Sequence, residues 1–392
     1  MSMSTTSIRS FYPWKWDIVS PRLILYVISD VHLDGESSEG TLFDDRKNGP
    51  AVAALCDRIA REDAELVLAG DAFDLTSMTP PRKGLGRFYE KMDMRAEPPP
   101  RLPVADLFVR ARGANPIAVE ALARLSSRVP MTVIPGNHDR HLGEPGGAQA
   151  LSSIGFRVHI ERSVARKIGE RTVVVQHGHE LDEGNHEREG TGEAMTHVLH
   201  HAIIPFLREK GPRPGVRMDP SRVVALRPEE AVVSVLERWL DEKTFRKFFR
   251  NLLSLLAQNG YLPRVAGILS PLITANRVRR AIEDQDRLWE STAFTAFRAL
   301  QGRRKLAYDA PRPDVLVFGH THILDWAVQE RGKRGDGLYV NLGTWTERCF
   351  DASSPPDLSL PLLRIDDEQG RLRVSLVALA DQGRELQRFE SA

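Results

Sequence analysis

Short apolar runs recur over the first 185 residues and again after residue 311, and each closes on a polar tip of the same kind. Leu23 to Ile28 leads into Ser29-Asp30-Val31-His32, and Glu65 to Ala69 into Gly70-Asp71-Ala72-Phe73-Asp74. Met131 to Ile134 leads into Pro135-Gly136-Asn137-His138-Asp139, and Thr172 to Val175 into Gln176-His177-Gly178-His179-Glu180. The last, Asp314 to Phe318, ends in Gly319-His320-Thr321-His322. Such runs are too short to cross a membrane, and their β-branched content predicts buried strands. Helical periods fill the gaps at Ala51 to Arg61 and Asn115 to Ser127, whereas Thr76 to Pro103, rich in Pro, Met, Arg and Lys, reads as a long irregular excursion. Phe156 to Ile160 is a further strand, as are Asp325 to Gln329, Leu338 to Leu342, Leu360 to Ile365 and Leu372 to Ala378.

Between about Asn185 and Ala310 the period changes. Met195 to Lys210, Ala231 to Leu240, Phe245 to Gln258 and Ile268 to Leu300 carry helical apolar spacing. The layout is an α/β core, residues 22–185 and 311–385, interrupted by a helical insert at 186–310 and preceded by a tail at 1–21.

Composition adds little until charge is resolved along the chain. The net charge of +1 is neutral, but residues 203–310 hold 20 Lys/Arg and 12 Asp/Glu, giving +8 there and −7 elsewhere. A basic segment of that kind suits an anionic partner or a solvated helical surface. Two cysteines, Cys56 and Cys349, make neither a disulfide framework nor a zinc-finger spacing, so a reducing, cytoplasmic setting is expected. Neither a signal peptide nor a membrane-spanning helix is expected.

The strand tips carry the chemistry. Strand ends converge at one edge of an α/β sheet, where such folds place their sites. Asp30 and His32 are two residues apart, so an extended chain would aim both to one side. The pooled carboxylate, imidazole and amide donors exceed what one ion needs, and Asp71, midway in the series, is the natural bridge between two. Oxygen and nitrogen donors without sulfur select Mn, Fe or Zn rather than Mg alone. A solitary strand-end histidine is ordinarily structural; five such tips in order are not explained that way.

Asp30-x-His32, Gly70-Asp71-x-x-Asp74, Gly136-Asn137-His138-Asp139, His177-Gly178 and Gly319-His320-x-His322 resemble, in order, the five blocks of the calcineurin-like metallophosphoesterases. The resemblance implies a four-layer α/β/β/α sandwich around two divalent ions, most simply manganese, with iron or zinc as alternatives. Asp30, His32 and His322 would hold one ion and Asn137, His177 and His320 the other, with Asp71 shared. A hydroxide between the ions would attack phosphorus, His138 would serve the leaving oxygen, and Asp74 would orient His138. The implied reaction is hydrolysis of a phosphodiester or pyrophosphate bond. His179 is open between ligand, substrate contact and surface residue; Asp139 would help hold its turn. His141, His186, His197, His200 and His201 read as ordinary residues.

The insert enters between His177 and His320, so it is expected to cap the cleft and set the substrate. Phe245, Phe248, Phe249, Leu252, Leu253, Leu255 and Leu256 form a wide apolar face beside Lys243, Arg246, Lys247 and Arg250. That face suits either a membrane surface or acyl chain, or packing on neighbouring helices. The architecture is similar to the UDP-2,3-diacylglucosamine pyrophosphatases, which implies a lipid-linked substrate and peripheral membrane contact. The chain departs from them in carrying His138 where they usually have Arg and His179 where they usually have Asp. A nuclease using the basic insert, a phosphomonoesterase or protein phosphatase, and a non-catalytic metal-binding protein are the other readings. Asp139 stands where protein phosphatases usually carry Glu.

Overall fold

The computed structural model describes residues 23–35, 41–182, 185, 191–211, 220–226, 232–260, 292–332, 335–349, 357–368, 371–381 and 383–390. Two sheets carry the core. The first has seven strands in the order β12-β11-β10-β1-β2-β3-β4. Here β1 is Ile24–Ile28, β2 Glu65–Ala69, β3 Met131–Ile134, β4 His159–Ile160, β10 Pro361–Glu368, β11 Arg371–Ala378 and β12 Arg384–Glu390. The second has five strands in the order β5-β6-β7-β9-β8, with β5 at Val164–Ile168, β6 at Arg171–Val175, β7 at Val315–Phe318, β8 at Leu324–Gln329 and β9 at Gly337–Leu342. The strands that end in the polar tips are mutually parallel within each sheet, β1-β2-β3 in one and β6-β7 in the other.

Alternation along each strand explains why the runs are apolar without a break. Leu25, Val27, Val67, Ala69 and Ile134 face Val173, Val175, Val315, Val317 and Val340 between the sheets. The intervening residues Tyr26, Ile28, Leu66, Leu68, Met131 and Val133 face outward onto α1 (Asp45–Glu62), α3 (Val104–Ala114), α4 (Pro116–Ser126) and α5 (Gly147–Ser153). On the opposite outer face Val174, Leu316, Phe318 and Tyr339 pack on Ala296, Ala299 and Leu300 of a helix at 292–300. Strands buried on both faces have no polar side to alternate with. This is the expected four-layer sandwich.

Several boundaries differ from expectation. The helix expected from Ala51 starts at Asp45, because Asp44 caps it by accepting the Arg46 and Lys47 N–H groups, and Pro50 is accommodated inside it. The neighbouring Asp45 carboxylate accepts from Ile117 and Ala118 at 2.9 Å, closing the start of α4. The excursion at 76–103 is not wholly irregular: it contains α2 (Leu85–Lys91). Strands β5 and β12 and helix α3 are additions, and β4 is only two residues long.

In the insert, α6 (Thr191–Val198) runs into a π-helical turn (Leu199–Ile203) and α7 (Ile204–Lys210), followed by α8 (Val232–Trp239) and α9 (Glu242–Gln258). Phe248, Phe249, Leu252, Leu255 and Leu256 of α9 are buried in one cluster with Leu85, Phe88 and Tyr89 of α2 and with α6 to α8. The apolar face of α9 is therefore a packing surface. The tail at 1–21, His186 and residues 268–291 of the stretch expected to be helical lie outside the described residues.

Candidate metal centre

The backbone at the strand tips is not extended. Asp30, His32, Asp71, His320 and His322 have φ of 55°, 53°, 49°, 69° and 57°, the left-handed region that side chains other than Gly rarely enter. Such conformations cost free energy and persist where surrounding contacts over-determine them. Here they do. Asp30 N–H donates to the Gly70 carbonyl at 3.1 Å and His32 N–H to the Asp71 carbonyl at 2.9 Å, so one tip is laced to the next. The two-residue spacing of Asp30 and His32 thus works through a turn, not through strand alternation.

Two glycines allow this close approach. A Cβ at Gly136 would fall on the Asp71 carboxylate, and one at Gly319 would fall on Ser29 and Asp30. Asp139 closes the third tip, accepting from Gly136 N–H at 2.7 Å and Phe73 N–H at 3.1 Å.

The side chains so placed form two groups with a shared region. Asp30, His32 and His322 make one, and Asp71, His177 and His320 another, each with ligand atoms within 4.8 Å of one another. Two donors bound to one ion at about 2.1 Å, at right or tetrahedral angles, stand about 3.0–3.4 Å apart. In the first group Asp30 Oδ1 lies 3.2 Å from His322 Nε2, and His32 Nε2 lies 3.1 Å from His322 Nε2. In the second, His177 Nε2 lies 3.1 Å from Asp71 Oδ2 and 3.2 Å from Asn137 Oδ1. Asp71 Oδ2 is also 4.0 Å from His32 Nε2, which puts one carboxylate oxygen between the groups.

Second partners fix which atoms face inward. The Ala69 carbonyl takes His177 Nδ1–H at 2.9 Å, leaving Nε2 for the centre. Asp182 meets His320 Nε2 at 2.9 Å, leaving Nδ1. Asp182 also accepts from Asn185 at 2.6 Å, and Asn185 stands 3.5 Å from the Asn137 amide. The motif reading missed Asp182 and Asn185; the one available signal was a carboxylate five residues after His177 in a polar stretch.

His138 adjoins both groups, with ligand-type geometry toward His32 and Asp71, but Asp74 Oδ1 occupies its Nδ1 at 2.7 Å. Its backbone N–H donates to Asp71 Oδ1 at 2.8 Å. Burial works against the charged imidazole, yet Asp74 and Asp71 overcome it and hold His138 above its ordinary value. Burial likewise opposes Asp74, but His138 and His32 keep it well below the carboxylate range. His179 stands one ring behind, 5.3 Å from His177 and 6.3 Å from His320 between centroids, and burial followed by those two rings lowers it to about 2. It belongs to neither ligand group. His141 pairs with Glu144 at 3.0 Å, while His197 and His201 are buried in the insert.

A divalent pair fits these residues. Asp30 Oδ1 is buried with no hydrogen-bond partner. Despite burial, the surrounding carboxylates push His32 and His177 up to about 10. A buried pocket that raises imidazoles so far calls for positive charge, which cations supply while displacing those protons.

The sequence model of the calcineurin-like phosphoesterases matches residues 24–211. That match spans just under half of the 392 residues, and over it the chain is similar to that family. The match to the calcineurin-like phosphoesterases takes in four of the five tips and stops before Gly319 to His322, which the fold returns to the same site. Among solved structures, a protein from Streptococcus pneumoniae described as a predicted phosphoesterase is similar at 10% identity, over 95% of this chain and 98% of that one, with a TM-score of 0.30. Vps29 of Entamoeba histolytica, complexed with zinc, is similar at 11% identity over 94% and 99%, with a TM-score of 0.30. A purple acid phosphatase from yellow lupin seeds gives 12% identity over 94% and 53%, with a TM-score of 0.32. At these TM-scores the likenesses carry no argument. No curated protein matches the sequence.

Proposed function

We propose that the chain is a calcineurin-like phosphoesterase and hydrolyses a phosphodiester or pyrophosphate bond at a binuclear centre. Asp30, His32 and His322 would hold one divalent ion, Asn137, His177 and His320 the other, and Asp71 both. The observation that carries this reading is the Asp71 carboxylate, one oxygen of which lies between His177 and His32. Two divalent ions held there would polarise the phosphoryl oxygens and make a hydroxide nucleophile available at neutral pH. The donor set favours manganese, iron or zinc.

The residues around the centre do the rest. His138, held above its ordinary value, carries a proton at Nε2 for the leaving oxygen, and Asp74 fixes the ring through Nδ1. Asp182 and the Ala69 carbonyl orient His320 and His177. The insert, entering between His177 and His320, would cap the cleft.

A lipid-linked substrate is the narrower reading, supported by the position of the insert in the chain. The apolar face of α9 adds nothing to it, since Phe248, Phe249 and Leu252 are buried. Hydrolysis of bis-p-nitrophenyl phosphate, p-nitrophenyl phosphate and a nucleoside diphosphate-linked lipid by manganese-loaded protein tests both levels. Diester or pyrophosphate cleavage in excess of monoester cleavage is expected; monoester preference would turn the reading to a phosphomonoesterase.

A further inference from the structure

Of Asp30, His32 and His322, the first group of the centre, two have their backbone held by one short segment. After β9 the chain runs Gly343-Thr344-Trp345-Thr346-Glu347-Arg348-Cys349. The Asp30 carbonyl accepts from the Trp345 N–H and from the Thr344 hydroxyl, both at 3.0 Å. The His322 carbonyl accepts from Arg348 Nη1 at 2.8 Å. Asp30 and His322 lie in the left-handed region, at φ of 55° and 57°, and these bonds are among the contacts that hold them there. The second group is held from elsewhere, His177 by the Ala69 carbonyl and His320 by Asp182.

The far end of the segment belongs to the insert. The Cys349 N–H donates to the Ala225 carbonyl at 2.7 Å, and Leu226 and Cys349 form a parallel bridge. Both are buried in one cluster with Val235 and Trp239 of α8 and Leu252 of α9. Arg348 is itself fixed. Its backbone exchanges hydrogen bonds with Asp357 at 3.0 and 2.7 Å, and its guanidinium meets the Asp357 carboxylate at 2.9 Å. A planar guanidinium holds such a bridging position with less freedom than a flexible ammonium. Two consecutive residues, Arg348 and Cys349, thus contact a ligand turn on one side and the insert on the other.

We propose that the segment 344–349 couples docking of the insert to occupancy of the first metal site, with Arg348 as the positioning residue that holds His322. The inference rests on the reading that Asp30, His32 and His322 hold one ion. With the insert docked, Cys349 is pinned, Arg348 is set against the His322 carbonyl, and the ligand turn keeps its left-handed conformation. With the insert displaced, that restraint is lost and the site is less preorganised. The coupling is reciprocal: an ion at the first site tightens the insert by the same factor as the docked insert tightens the ion.

Thiol labelling and metal titration of the whole chain test the coupling. The chain has two cysteines, both buried, Cys349 in the cluster of the insert and Cys56 in α1. Labelling by N-ethylmaleimide, read by peptide mass, reports opening of the insert at Cys349, with Cys56 as the control for global opening. Calorimetric titration with manganese gives the two affinities, with His322→Ala marking loss of the first ion. In the wild type, manganese is expected to slow labelling of Cys349 about tenfold more than that of Cys56. Arg348→Met should lower affinity for the first ion about tenfold, leave the second within about twofold, and remove most of the manganese effect on Cys349. Arg348→Lys, which keeps a donor for the His322 carbonyl, should recover part of both. Leu226→Asp, on the insert side of the bridge, should speed Cys349 labelling and weaken the same ion. Unchanged first-ion affinity in either Arg348→Met or Leu226→Asp, equal weakening of both ions, or wild-type Cys349 labelling insensitive to manganese overturns the proposal. If Leu226→Asp fails to fold, Arg348→Met decides by the same criteria. A wild type that binds no manganese overturns the metal-centre reading and this proposal with it. Two ions in the wild type, with the first lost in His322→Ala, leave that reading standing, and a failure is then the proposal's own.

Discussion

Asp182 meets the ring of His320 at 2.9 Å, joining the last strand tip to the segment that follows His177. The two residues are 138 positions apart in sequence, yet one carboxylate decides which nitrogen of His320 faces the centre. Asp182→Asn is expected to lower affinity for the second metal ion about 10–100-fold while leaving the first in place. Metal titration by calorimetry would show two separated affinities; two unchanged sites would contradict the assignment of His320.

In the proposed reaction His138 would separate proton transfer from metal binding. His138→Gln should retain two ions per chain and lower kcat about 10²–10⁴-fold on a phenyl phosphodiester, with a smaller loss on the p-nitrophenyl ester. Metal analysis showing one ion in the variant would make His138 a ligand.

Acid should loosen the insert. Burial, the largest cause in each case, lowers His197 to about 4 and His201 to about 3, against about 6.5 for an exposed imidazole. Their folded values lie below the unfolded ones, so the unfolded chain binds more protons as the pH falls. Stability is then lost progressively from about pH 6.5 downward, on the order of 2 kcal/mol per ring at pH 5. Thermal melts of metal-free protein at pH 7.5 and 5.0, against a His197→Gln/His201→Gln double variant, isolate this contribution. The wild type should lose more than the variant; an equal loss would show that the rings do not titrate as buried neutral groups.

The apolar runs made the sandwich legible, because strands buried on both faces leave a signature that neither amphipathic helices nor loops share. That the polar strand tips come together was legible for a related reason: each stands close after such a run, as Asp71 follows Leu68-Ala69-Gly70. What escaped was whatever depends on long-range pairing. Asp182 sits in a polar stretch and gains a role only when His320 arrives beside it. The left-handed turns at Asp30 and His32 could not be read from residue type, since neither is glycine. Helix α3 had a usable signal, with Leu107, Phe108 and Ala111 on one face, hidden by the Pro-rich stretch before it. The apolar face of α9 was visible, but its cover was not, because α2 lies some 150 residues earlier in the chain.

The central claim is that Asp71 serves two metal sites at once. Metal content and bis-p-nitrophenyl phosphate hydrolysis, measured together on manganese-loaded wild type and Asp71→Asn, test it most directly. Two ions per chain in the wild type are expected, with weakened binding at both sites and at least a roughly 10²-fold loss of kcat in the variant. An Asp71→Asn protein that holds two ions with undiminished affinity and full activity would contradict it.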